Sequence, residues 1–237
     1  MNNKIPLIKL SNGETIKAGE SKKIINGELT LEKFIYGYDI ASRTSIINHL
    51  IKLYKYKKYC EIGVRKGKNF NNIKIDHKVG VDPNPLFEHQ NLYKLKSDNF
   101  FKVNKATFDI IFIDGLHLED QVDKDIENSL SCISDKGIIL LHDCNPPSKF
   151  HQRENYEVNG KFPEWNGTVW KSFVKLRISN PSLSLLCVNC DWGVGIIKKE
   201  KSKTYDKIEN LNYEFLDMHR VELLNLISVK QFLERFK

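Results

Sequence analysis

Phe108-Asp109-Ile110-Ile111-Phe112-Ile113-Asp114 is the stretch that decides the fold. Apolar side chains fill consecutive positions from 110 to 113, so both faces of the segment need cover. A strand of that kind lies inside a parallel sheet, with helices on either side. Residues 138–141 repeat the pattern and end at His142-Asp143. Upstream, residues 58–64 read as a strand running into a glycine turn, Gly63 to Gly67, and residues 78–81 as a strand ending at Asp82. A further strand is expected at 92–96. Helical spacing of Ile46, Ile47, Leu50, Ile51 and Tyr54 predicts a helix over 41–55, and Val122, Ile126, Leu130 and Ile133 predict another over 119–133. Alternating strands and helices define an α/β, doubly wound sheet. Ligands of such sheets bind beyond the carboxyl ends of the strands. Glu61, Asp82, Asp114, His117, His142 and Asp143 all fall there, whereas ordinary surface residues would be scattered.

The flanks are less regular. Residues 4–19 read as a hairpin turning at Ser11-Asn12-Gly13-Glu14, and Asn26-Gly27 reads as a second turn. Residues 144–168 form a long irregular segment rich in Pro, Asn and aromatics, which suggests a functional loop. A helix is expected at 168–177, an antiparallel hairpin at 183–188 and 192–198, a charged connector at 200–210, and one or two amphipathic helices over 211–237 anchored by Leu216, Leu223, Leu224, Ile227 and Phe232. The expected organisation is an N-terminal hairpin extension over 1–40, a ligand-binding domain over 41–200 and a C-terminal helical extension over 201–237. Either extension could support a homodimer.

Composition excludes several classes. The 237 residues are 41% hydrophobic and 28% charged, which fits a packed domain rather than a disordered chain. No run of about 18 apolar residues exists, so no membrane span is expected. Met1 to Lys9 is polar and broken by Pro6, without a signal-peptide core, so a cytoplasmic location is expected. The net charge is +7, but no run of five basic residues occurs; this reads as a basic surface and disfavours nucleic acid as a partner. Cys60, Cys132, Cys144, Cys187 and Cys190 are an odd set without a secretion signal, and free thiols are expected. The Cys187/Cys190 pair lacks the second pair that a structural zinc site needs.

Chemistry enters with Glu61-Ile62-Gly63-Val64-Arg65-Lys66-Gly67. Glycines after a strand let a ligand approach the backbone, and the following helix N-terminus adds positive charge. Asp82, at the end of the next strand, is placed to accept both hydroxyls of an adenosine ribose. NAD and S-adenosylmethionine would both fit so far. The G-x-G-x-x-G fingerprint is absent, however: Arg65 stands at the middle glycine position, where a pyrophosphate needs the backbone close, and Glu61 suits a cationic ligand better. With the C-terminal hairpin, these features resemble class I S-adenosylmethionine-dependent methyltransferases. That resemblance implies a Rossmann-like seven-stranded, mostly parallel sheet with an antiparallel C-terminal hairpin and helices on both faces. It implies that Glu61, Gly63 and Gly67 line the methionine side of the cofactor, that Asp82 holds the ribose, that Asp98 lies near the adenine, and that Asp114 borders the cofactor.

Ile113-Asp114-Gly115-Leu116-His117, followed by Leu141-His142-Asp143, narrows the match to the sugar O-methyltransferases of the macrolide-sugar and glycan-cluster type, over about residues 58–150. In metal-dependent members the first aspartate and an acidic pair at the next strand end bind Mg2+. Asp114 and Asp143 match that set and His117 matches the base, but His142 replaces a glutamate, which weakens an oxygen-ligand site. Metal-free catalysis with His117 or His142 as base is the other route. Two Pro-containing stretches, Asp82-Pro83-Asn84-Pro85 and Asn145-Pro146-Pro147, follow the wrong strands for an amino-methylating motif and read as stiff turns. In the long loop, Arg153, Tyr156 and Trp165, with His151 and Asn166, are expected to cover the acceptor. The resemblance implies O-methylation of a sugar hydroxyl, in a nucleotide-activated sugar or surface-glycan precursor. N-methylation or a non-sugar acceptor is a second reading, and an RNA-binding methyltransferase or an inactive binding module a third.

Overall fold

The computed structural model describes residues 7–9, 15–17, 38, 39, 41–205 and 210–237. Within it, β1 (Leu7–Lys9) and β2 (Thr15–Lys17) pair antiparallel, Leu7 opposite Lys17. The turn expected between them and the one at Asn26-Gly27 lie outside the described residues.

The main sheet holds β3 (Lys58–Ile62), β4 (His77–Val81), β5 (Leu92–Tyr93), β6 (Phe108–Ile113), β7 (Ile133–Leu141), β8 (Ser184–Val188), β9 (Val194–Lys198) and β10 (Leu226–Ile227), in the order β10-β8-β9-β7-β6-β3-β4-β5. All pairings are parallel except those that β9 makes with β7 and β8. β3 and β6 lie side by side at the centre, where the strand order reverses.

Alternate residues of β6 feed two cores. Ile111 and Ile113 face α3 (Ser97–Val103), α4 (Glu119–Cys132), α5 (Val169–Ser179) and α6 (Tyr213–Leu224), meeting Phe100, Val122, Trp170, Phe173 and Leu216. Ile110 and Phe112 face α1 (Arg43–Tyr54), α2 (Lys68–Asn72) and α7 (Val229–Arg235), meeting Ile47, Leu50, Phe70 and Phe232. The consecutive apolar run of the sequence is thus the trace of two-sided burial. Helix α1 starts at a reciprocal cap, Ser42 accepting from the Ser45 amide and Ser45 from the Ser42 amide, and stops at Lys55 in the left-handed region.

Three boundaries differ from the sequence reading. The strand expected at 92–96 is only Leu92–Tyr93. β7 begins at Ile133, because Ile133 pairs with Phe108 before an irregularity between Phe108 and Ile110. Ile227, read as a helical anchor, sits in an eighth strand that extends the seven expected. Asn225, at φ 46°, ends α6, and its side chain donates to the Leu185 carbonyl at 2.9 Å, steering the next two residues alongside β8. All five cysteines are free, and burial pushes the thiols of Cys187 and Cys190 up. No helix among the described residues is long and apolar enough to cross a membrane.

Candidate active site

The turn after β3 is built on contact with the end of β6. Gly63 has φ +88°, its amide donates to the Val81 carbonyl at 2.8 Å, and a Cβ there would stand 2.0 Å from the Asp114 carbonyl oxygen. A side chain at this position would force the two central strand ends apart. Gly63→Ala is therefore expected to destabilise the fold by at least about 2 kcal/mol, read from urea midpoints, since left-handed strain and overlap with backbone add. Gly67 begins α2 at φ +69° beneath the Phe87 ring. Glu61 lies under this turn, 1% exposed, accepting from the Tyr59 hydroxyl at 2.5 Å and the Asn69 amide at 2.9 Å. Burial pushes its carboxyl up to about 8.

Asp82 leaves β4 half-buried, and two backbone amides fix it: Arg65 donates to Oδ2 and Asn84 to Oδ1, both at 2.8 Å. The second bond is the stiff Asx turn that Asp82-Pro83-Asn84-Pro85 predicts. A carboxylate has about four acceptor sites, so two remain for hydroxyls. Asp98 stands in the first turn of α3, bound to the Gln121 side chain at 3.0 Å, and Gln121 also reaches Ser97 and Asp125. Burial pushes the Asp125 carboxyl up to about 6.

Beyond β6 and β7 the four residues singled out in the sequence converge. Asp114 Oδ1 lies 3.1 Å from His142 Nδ1 and 3.3 Å from His117 Nε2; Asp143 Oδ2 lies 2.9 Å from His142 Nδ1 and 3.1 Å from His117 Nδ1. Asp143 adopts φ 60°, and its other oxygen accepts from buried Asn166 at 2.9 Å. Burial alone would lower both imidazoles, but the facing carboxylates outweigh it, so His117 is raised and His142 is raised well above its usual value. Asp114 is held well below the carboxylate range: burial opposes this, and His142 and Arg43 overcome it.

Two residues of this cluster escaped the sequence reading. Arg43, first residue of α1, places Nη1 2.8 Å from Asp114 Oδ2 and 2.8 Å from His142 Nδ1. Asp191, in the β8–β9 turn, accepts the Arg43 amide at 2.7 Å, pairs with Arg43 Nε at 3.2 Å and lies 3.5 Å from His142 Nε2. The strand and helix directions placed both at this edge of the sheet, though not in contact. β8 runs parallel to β7, so the turn after it reaches the same sheet edge, and helices antiparallel to the strands begin at that edge.

Asp114, His117 and Asp143 bring one donor atom each within 4.8 Å of one another, close enough for one cation. The set does not suit Mg2+, which demands octahedral oxygen ligation. His142 Nδ1 is wedged between the two carboxylates, and a guanidinium already binds Asp114.

The loop after β7 reaches the cluster through its far end. Trp165 stacks on His117, with ring centres 5.0 Å apart and planes at 16°, and the Thr168 amide donates to the His117 carbonyl at 2.8 Å. Tyr156 stacks on Phe162 at 4.8 Å and leans on Trp165 at 5.5 Å, so an aromatic ladder runs from the exposed loop to the imidazole. Arg153 faces its own loop instead of solvent. Its Nη1 and Nη2 donate to the carbonyls of Phe150, Glu164, Tyr156 and Pro163 at 2.9–3.2 Å. Four of its donors are thereby committed to holding the loop, which leaves little for the acceptor it is expected to cover.

The strand order, the glycine turn after β3 and the antiparallel β9 make a Rossmann-like, mostly parallel sheet shared with solved methyltransferases. Residues 60–144, which span the turn, Asp82 and the four Asp and His residues after β6 and β7, match the model of a family described as a methyltransferase domain. Among solved structures, a methyltransferase from Podospora anserina bound to S-adenosylhomocysteine is similar at 19% identity and TM-score 0.53, over 68% of this chain and 80% of that one. A protein from Staphylococcus aureus described as a caffeoyl-CoA O-methyltransferase is similar at 19% identity and TM-score 0.51, over 76% of this chain and 96% of that one. At this identity the likeness establishes the fold. No curated protein matches the sequence.

Proposed function

We propose that this protein transfers a methyl group from S-adenosylmethionine to a sugar hydroxyl, with His117 as general base. The observation that carries this reading is the imidazole at the end of β6. It is flanked by Asp114 and Asp143, stacked on Trp165, and joined to the strand end that touches the Gly63 turn. S-adenosylmethionine supplies an electrophilic methyl group in line with its sulfur. The chain's task is to align the acceptor oxygen and take its proton. Gly63 and Gly67 give the turn beside the cofactor its left-handed backbone and close packing, Asp82 accepts the ribose hydroxyls, and Asp98 marks the adenine end.

His117 serves as base in its neutral form, and Asp143 steadies the imidazolium that results. His142 is 4% exposed and hemmed in by Arg43, Asp143 and Asp191, so it orients Asp114 rather than meeting an acceptor. The faces of Tyr156, Phe162 and Trp165 offer a surface on which an apolar sugar face packs. A hydroxyl of a nucleotide-activated sugar or glycan precursor suits this arrangement, because it needs a base and an aromatic platform together.

The test is a methyl-transfer screen after S-adenosylhomocysteine affinity has been established. Nucleotide sugars are compared with catechols, primary amines and single-stranded RNA, using labelled S-adenosylmethionine. Turnover confined to sugar hydroxyls is the expected result. Turnover confined to amines or RNA would overturn the acceptor assignment, and transfer to catechols alone would replace the sugar by an aromatic hydroxyl.

A further inference from the structure

Arg43 is in an unusual place. It opens α1, where the helix dipole disfavours a cation. Its side chain is nonetheless drawn inward, to 28% exposure, against Asp114, Asp191 and His142. Its backbone amide and its Nε share one oxygen, Asp191 Oδ2, at 2.7 and 3.2 Å. Asp191 thus neutralises the helix start and aims the guanidinium at the same time. A further contact, Nη1 to Asp114 Oδ2 at 2.8 Å, takes one oxygen of the carboxylate best placed to bind a cation together with Asp143. His142 Nδ1, 3.1 Å from Asp114 Oδ1 and 2.9 Å from Asp143 Oδ2, fills the gap between the two carboxylates.

We propose that Arg43 is the resident cation of this site: its guanidinium holds the place at Asp114 that a divalent metal would need, and keeps the site free of metal. Three carboxylates, Asp114, Asp143 and Asp191, face one permanent cation and two imidazoles. Much of that negative charge is offset from within the chain. A divalent ion entering between Asp114 and Asp143 would meet a like charge fixed within hydrogen-bond distance of its first ligand, and would have to displace both the guanidinium and an imidazole. A guanidinium also differs from a metal in what it does to an acceptor. It donates hydrogen bonds in a fixed plane and offers no vacant coordination position, so activation of the hydroxyl is left to the imidazole. The inference concerns the same cluster as the proposed reaction but not the acceptor, so a failed acceptor screen leaves it standing.

Mn2+ binding reads this directly, by electron paramagnetic resonance and by calorimetry on the full chain, without turnover. Wild type is expected to bind Mn2+ only weakly. Arg43→Met, which keeps bulk and removes charge, is expected to bind it at least about tenfold more tightly. Arg43→Lys should resemble wild type, because the charge remains. Adding Asp114→Asn to Arg43→Met should abolish the gain, which locates the ion. Micromolar Mn2+ binding by wild type would overturn the proposal whatever the variants do. So would an Arg43→Met protein that melts as a folded chain yet binds no tighter than wild type. Should that variant not fold, Arg43→Gln takes its place under the same criterion.

Discussion

Replacing His117 with glutamine is expected to slow methyl transfer by about 10²–10⁴-fold while leaving S-adenosylhomocysteine affinity within about twofold of wild type. Glutamine keeps a polar side chain of similar reach against Trp165 but cannot accept a proton at neutral pH. The pH profile carries more information than the loss itself. A base works in its neutral form, and the facing carboxylates raise His117 above its ordinary value of about 6.5. The rate should therefore be low in mild acid and rise with pH through that raised value. Asp143→Asn removes one of the two carboxylates that raise it, so the acid limb should move to lower pH. Burial would then pull the same way. An unmoved limb in Asp143→Asn, or a His117→Gln enzyme within tenfold of wild type, would take the base role from His117. His142→Gln then becomes the variant to measure.

Asp82→Ala is expected to weaken S-adenosylhomocysteine by at least about 100-fold in calorimetry, the cost of losing two hydrogen bonds to a charged group. The carboxylate is pre-aimed, since the Arg65 and Asn84 amides each hold one oxygen. Part of the effect comes from loosening the turn that begins at Gly63. Asp82→Asn separates the two contributions, because an asparagine oxygen can still cap one amide while the charge is gone. Equal affinity in wild type and both variants would remove Asp82 from the ribose site. Failure of wild type to bind either S-adenosylmethionine or S-adenosylhomocysteine would sink the cofactor reading and return NAD and the inactive binding module to consideration.

The sheet was legible because two-sided burial leaves a local trace. Four successive apolar residues in β6, and again in β7, require cover on both faces, and the polar residue that ends each strand marks the ligand edge. The short elements were not legible to the same degree. Leu92–Tyr93 and Leu226–Ile227 are strands only because a neighbour offers backbone partners, and two residues carry no periodicity of their own. Arg153 shows the limit for loops. Its residue type suggests an anion, but only the folded loop reveals that the surrounding carbonyls claim its donors.

The sequence by itself determined the α/β class, the glycine turn after β3, and the set of acids and imidazoles at the strand ends, because each depends on burial pattern and residue order within one segment. Tertiary structure alone decided which charges meet. Arg43 and Asp191 stand 148 positions apart, on a helix start and a hairpin tip. Arg43 reaches Asp114 and His142, and Asp191 reaches Arg43 and His142, only because β8 is brought parallel to β7 and α1 begins at the same edge of the sheet. Electrostatic partners are set by distance in space, and no local pattern in the chain encodes that distance.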